Sequence, residues 1–86
     1  MLEKVKRALR IKTDALDPEI EDNILAAKAD LGIAGVNSDN LEDPLIIRAI
    51  ITFCHVAMCG AADYDRLKKC YDEQKAQLRM ATGYTD

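Results

Sequence analysis

The sequence predicts an all-α fold, a small single-domain bundle of four main helices at about residues 2–10, 18–32, 44–59 and 63–82. Three observations carry that expectation. Leu, Ile, Ala and Met dominate the apolar set, with no Trp and one Phe, Phe53, a composition that favours helices over a sheet. The two Pro and four Gly fall between periodic segments and act as punctuation. Tyr64, Leu67, Tyr71, Gln74, Leu78 and Ala81 recur at alternating spacings of three and four, which places them on one stripe of a helix. With 86 residues the chain reads as one domain, residues 1–86. A chain of this size hides only roughly 60% of the surface its unfolded form exposes, so its core is thin and self-association would extend it.

The first helix is expected from Leu2 to about Arg10, with Leu2, Val5, Ala8 and Leu9 as its apolar stripe and the bases on the other side. Residues 13–16 form a link. Asp17-Pro18-Glu19 then opens the second helix: Asp17 as N-cap, Pro18 at the first helical position, Glu19 and Glu21 near the positive end of the dipole. Ile20, Ile24, Ala27 and Leu31 form its buried stripe, and Gly32 is the expected stop. The Gly, Asn and Ser content of residues 33–42 marks a loop. Asp43-Pro44 repeats the start signal for the third helix, which Gly60 ends; Asp63 is the expected cap of the fourth, and Gly83 closes it ahead of Tyr84, Thr85 and Asp86.

The third segment is apolar on almost every side, and only Arg48, Thr52 and His55 make a narrow polar stripe. A membrane span requires roughly 20 mainly apolar residues. This stretch is shorter and carries Arg48 inside it, so it reads as the central helix of the bundle. The fourth segment is its complement, polar over most of its circumference and in need of a surface to lean on.

Net charge is −3, which argues weakly against nucleic acid as a tight ligand. Its distribution is uneven. Residues 1–13 hold five bases against Glu3, for +4; residues 14–43 hold nine acids against Lys28, for −8; residues 44–86 hold six bases and five acids, for +1. These segments are either two solvated faces or a pair of patches through which the basic end of one copy meets the acidic middle of another. Complementarity of that kind sets register and encounter rate more than affinity.

No constellation points to catalysis or to a cofactor. Cys54, Cys59 and Cys70 make an odd count, and Leu2–Lys12 has no apolar core of signal-peptide length, so reduced thiols are expected. Cys54 and Cys59 point about 140° apart on a helix and do not pair. His55 and Cys59 lie four apart with Cys70 on the next helix, but the spacing fits no common zinc pattern. Gly32-Ile33-Ala34-Gly35 lacks the Lys-Ser or Lys-Thr and the preceding strand of a phosphate loop. A Lys68, Lys69, Tyr71 patch for nucleic acid is interrupted by Asp63, Asp65, Asp72 and Glu73. A helix-turn-helix over helices two and three would need an apolar or an acidic helix in the groove.

Val5-Lys6 with Leu9-Arg10-Ile11, the run Ile24–Ala29, the run Asp43–Thr52, Asp63–Leu67, Tyr71–Leu78 and Ala81–Thr85 together resemble the small helical head–tail connector proteins of tailed bacteriophages, also known as DNA-packaging or head-completion proteins. The similarity spans essentially the whole chain and is most specific after Asp63. It implies a structural role: a homo-oligomeric ring at the portal vertex that extends the DNA channel and connects head to tail. The implied partners are further copies of the chain, the portal protein, a tail or stopper protein, and DNA that passes without sequence-specific binding; no membrane, metal, cofactor or catalytic residue is implied. The implied location is the virion, with host cytoplasm during assembly. Candidate subunit contacts are Lys6, Arg7 or Arg10 of one copy facing Glu19, Glu21 or Asp22 of the next, with Tyr84 as an anchor on a neighbour or on the portal. The alternative from the residues alone is a small helical DNA-binding or regulatory protein.

Overall fold

Each helix forms where periodicity and punctuation coincide, and the ends show which local signals are used. The computed structural model describes residues 1–38 and 42–80; within them lie α1 (Leu2–Leu9), α2 (Asp17–Ile33), α3 (Pro44–Met58) and α4 (Ala61–Met80), with no strand among the described residues. The structure is all-α, as the composition predicts.

The start of α3 follows the sequence signal. Asp43 is the N-cap, its carboxylate accepting from the Leu45 N–H at 2.9 Å, and Pro44 occupies the first turn, where no N–H is needed. The start of α2 departs from it. Leu16 is the N-cap, without a side-chain hydrogen bond, and Asp17 is already helical. The Asp17 carboxylate is instead drawn to the Lys6 ammonium, 2.9 Å away. Asp63 likewise sits inside the first turn of α4, which begins at Ala61, and its carboxylate pairs with Arg66 at 3.3 Å.

The helix stops also differ from expectation. Gly32 does not end α2; the helix runs to Ile33, and Gly35 takes the left-handed conformation at φ 86°. The Gly35 N–H then bonds the Gly32 carbonyl at 3.0 Å and the Val36 N–H bonds the Leu31 carbonyl at 2.9 Å. This paired closure satisfies carbonyls left open at the helix end, and buried Val36 covers buried Leu31. At the end of α1 the same pattern recurs with Arg10 at φ 59°: its N–H bonds Arg7 at 3.3 Å, and the Ile11 N–H bonds Lys6 at 2.9 Å. α3 ends at Met58, one residue before the expected Cys59, which is extended.

The core confirms the apolar stripes. Ile20, Ile24, Ala27 and Leu31 of α2 are buried against Ile46, Ala49, Ile50 and Cys54 of α3. α3 is central: α1, α2 and α4 all pack on it, and α1 also packs on α2. From α4, Leu67, Tyr71 and Leu78 are buried with Gln74 partly so, while Tyr64 is half-exposed. Ala81, the last member of that stripe, lies outside the described residues. The molecule measures 37 × 26 × 18 Å, so it is about two helices thick. No described helix is long and apolar enough to cross a membrane.

One helix face is misread by periodicity. Val5 of α1 is fully buried as expected, but Ala8 is exposed and Lys6 is turned inward. Lys6 is buried, and its ammonium reaches Asp14 at 2.7 Å and Asp17 at 2.9 Å. The hydrogen bonds to these two carboxylates hold the Lys6 pKa above its ordinary value, and the bond from Lys6 holds Asp14 below its own.

The two glycines at the end of α2 have opposite roles and therefore opposite responses. A Cβ on either meets nothing within 4 Å. Gly35→Ala forces an alanine into the left-handed region and is expected to lower stability by about 1 kcal/mol. Gly32→Ala removes helix-interior glycine and is expected to raise it by about 0.5–1 kcal/mol. Urea denaturation followed by circular dichroism measures both.

Candidate functional site

The residues available for contacts with other molecules are those left over once the internal pairs are accounted for. In the acidic segment, Asp14 and Asp17 are taken by Lys6 and Asp30 by α4. Glu19, Glu21 and Asp22 remain exposed on the outer side of α2 and have no ion-pair partner among the described residues. Glu19 and Asp22, three apart, share one row of the helix surface; Glu21 shares the next with Leu25, which is 64% exposed. In the basic segment, Arg7 and Arg10 are exposed and likewise have no ion-pair partner among the described residues, whereas Lys6 is engaged within its own chain. Of the residues expected at a subunit contact, the structure thus places Arg7, Arg10, Glu19, Glu21 and Asp22 on the surface and Lys6 inside. Tyr84 lies outside the described residues.

A second feature was not legible in the spacing of the residues. An open groove of about 420 Å³ runs between α3 and α4 and is closed on one side by Asp30 of α2. Phe53 and Tyr71 meet edge to face, ring centroids 5.3 Å apart. The Tyr71 hydroxyl donates to the Asp30 carboxylate at 2.6 Å, and Lys75 reaches the same oxygen at 3.1 Å while lying 5.2 Å over the Tyr71 ring. Burial by itself would raise the Asp30 pKa, but the bonds from Tyr71 and Lys75 and the charges of Lys75 and Lys68 outweigh it and hold the carboxyl below its usual range. Burial and the Asp30 hydrogen bond push the Tyr71 phenol upward, so Tyr71 is a donor at any physiological pH. The signal for this arrangement was indirect: a buried Tyr requires a partner for its hydroxyl, and Asp30 lies beside Leu31 on the buried edge of α2.

The arrangement ties α4 to α2 through the Tyr71 and Lys75 bonds to Asp30. Burial pushes the Cys54 thiol up to about 11, which suppresses the thiolate at neutral pH. Cys59 donates to the Val56 carbonyl at 3.3 Å, and Cys70 is exposed on α4. Among the described residues, no group of three or more His, Cys, Asp or Glu side chains is placed to share a metal ion. α3 is buried at the centre and α2 presents acids, so neither is available as a recognition helix.

Compared with known proteins, residues 1–85 match the model of a family described as Phage connector protein. No curated protein and no solved structure matches the chain.

The Asp30 cluster has a testable pH signature. Asp30 is depressed in the folded state, so the stability it contributes is present above its unfolded pKa of about 3.9 and is lost as pH falls through the folded value. Tyr71→Phe removes one of the bonds responsible and is expected to cost about 1–2 kcal/mol at pH 7. The gap between the two chains should narrow below about pH 4, because the protonated carboxyl gains less from the phenol. Urea denaturation between pH 2.5 and 7 measures it.

Proposed function

The chain belongs to the phage connector protein family, and on that premise we propose that many copies assemble into a ring at the portal vertex, extend the DNA channel and present a docking surface to a tail or stopper protein. The coarse role is that of a structural phage connector, a virion component that works through contacts with other head and tail proteins. The family match over residues 1–85 is the observation that carries the proposal.

The surface supports the ring. A ring is built from heterologous contacts, in which one patch meets a different patch on the next copy. Arg7 and Arg10 supply a cationic patch, and Glu19, Glu21 and Asp22 an anionic one, all exposed. Lys6 fixes α1 through its own Asp14 and Asp17 and so positions Arg7 and Arg10 rather than joining them at the contact. Leu25, beside Glu21, adds an apolar side chain to the anionic patch. The net charge of −3 suits a channel through which DNA slides, since a strongly basic lumen would retain phosphates.

Arg7→Glu with Arg10→Glu is expected to abolish ring assembly, on its own or on a portal template, as seen by electron microscopy and sedimentation, while circular dichroism stays unchanged. Adding Glu19→Arg and Asp22→Arg should restore rings. Wild-type assembly should weaken as salt rises from 0.1 to 1 M, because the screening length falls from about 10 to 3 Å. Rings from the double reversal would remove Arg7 and Arg10 from the contact. Virions that package, retain DNA and attach tails without this protein would refute the connector role itself.

A further inference from the structure

The second helix carries two stripes, and the fold uses one. Ile20, Ile24, Ala27 and Leu31 are buried. Asp22, Ala26, Ala29 and Ile33 repeat that spacing two positions on, about 200° round the helix, and all four are exposed. Leu25, on the same outer side, is 64% exposed, and Ile33 is 87% exposed. The result is an apolar ridge whose N-terminal end carries the carboxylates of Glu19 and Asp22. The central helix has the converse. Ile47, Arg48 and Ile51 of α3 line an open depression of about 690 Å³, with Lys4 of α1 and Cys70 and Gln74 of α4 in its walls. Ile47 and Ile51 are partly buried, Lys4 and Arg48 are exposed, and neither cation has an ion-pair partner among the described residues. Glu42 also lines the depression and has a partner of its own.

We propose that this depression receives the outer ridge of α2 from a second copy, with Asp22 against Arg48 and Leu25 on Ile51. The proposal rests on the ring reading and supplies the apolar centre of its contact. Three features select this occupant. The first is charge: the carboxylates of the ridge and the cations of the depression are opposite in sign, and both sets are unpaired in their own chain. The second is spacing. Asp22 and Leu25 lie three apart, as do Arg48 and Ile51, so both pairs meet when α2 of the next copy lies along α3 in the same direction. Arg7, one turn from Lys4 on α1, then stands on the Glu19 side and belongs to the same interface. The third is topology. The ridge lies opposite the stripe that α2 buries against α3, so a chain cannot fill its own depression.

Cys70 in the wall of the depression provides the test. Full-length chain carrying Leu25→Cys, with Cys59→Ser to remove the other accessible thiol, is oxidised at millimolar concentration and on a portal template. The expected product is a ladder of dimers, trimers and longer species joined from position 25 to Cys70, because each copy has one ridge and one depression. Cys70→Ser should abolish the ladder. Arg48→Glu should reduce it about tenfold or more with circular dichroism unchanged, and adding Asp22→Arg should restore it. Dimers joined through position 25 on both chains would show the ridge pairing with itself and overturn the proposal. A disulfide within one chain, no ladder, or duplex DNA that shields Cys70 from a maleimide where added chain does not would each overturn it as well. Wild-type rings that form without the ladder would remove this contact and leave the ring reading standing.

Discussion

Everything in this molecule depends on covering α3. A fifteen-residue helix that is apolar on nearly every side cannot stand at a surface, so three other helices are arranged around it. α2 contributes a clean stripe of Ile20, Ile24, Ala27 and Leu31; α4, mostly polar, contributes Leu67, Tyr71 and Leu78; α1 contributes Val5. The cover is incomplete. Ile47, Ile51, Phe53 and Val56 are only partly buried: Phe53 and Val56 line the groove beside Tyr71, and Ile47 and Ile51 line a separate open depression with Lys4, Cys70 and Gln74. A domain this small has too few residues to wrap a central helix fully.

The polar groups follow the same logic. Two sets of charged side chains near the core are paired: Lys6 with Asp14 and Asp17, and Asp30 with Tyr71 and Lys75. These bonds join elements far apart in sequence, Asp30 and Lys75 being 45 residues apart, and so they specify how α1 and α4 sit against α2. The exposed pairs of α4, Arg66 with Asp63 and Lys68 with Asp72, contribute little to stability. Subtracting all of these separates a structural set of charges from an outward set, and the outward set carries the proposed ring contact.

The architecture was legible in the sequence because it rests on local signals: the i, i+4, i+7, i+11 spacing from Ile20 to Leu31, the Asp43-Pro44 start and the unbroken apolar run of α3. The misreadings have two causes, a local rule overridden by a partner on another element and a helix end closed by a neighbouring residue. Asp17 looked like a cap, but Lys6 takes its carboxylate. Lys6 looked solvent-facing because periodicity counts it as polar, yet its stem is long enough to be buried while its head is paired. Gly32 looked like the stop, but the chain needs its left-handed residue three positions later, where Val36 can fold back over Leu31. The outward charges of the candidate contact were visible as a segmental imbalance; which of them were already spoken for was not. The groove could not be read at all, since its walls come from three helices.

The inward turn of Lys6 has a consequence for α1. α1 is eight residues long, far below the roughly 12–15 at which an isolated helix becomes even marginal in water. Among its residues only Val5 and Lys6 are buried, and the ammonium of Lys6 holds Asp14, whose carboxylate is open to solvent. α1 therefore depends for its helical form on its tertiary contacts, Val5 in the core with Leu2 and Leu9 against it and the Lys6 ion pairs. Arg7, on α1, and Arg10, just after it, thus stand on a segment whose place in the domain rests on few side chains, Val5 and Lys6 foremost.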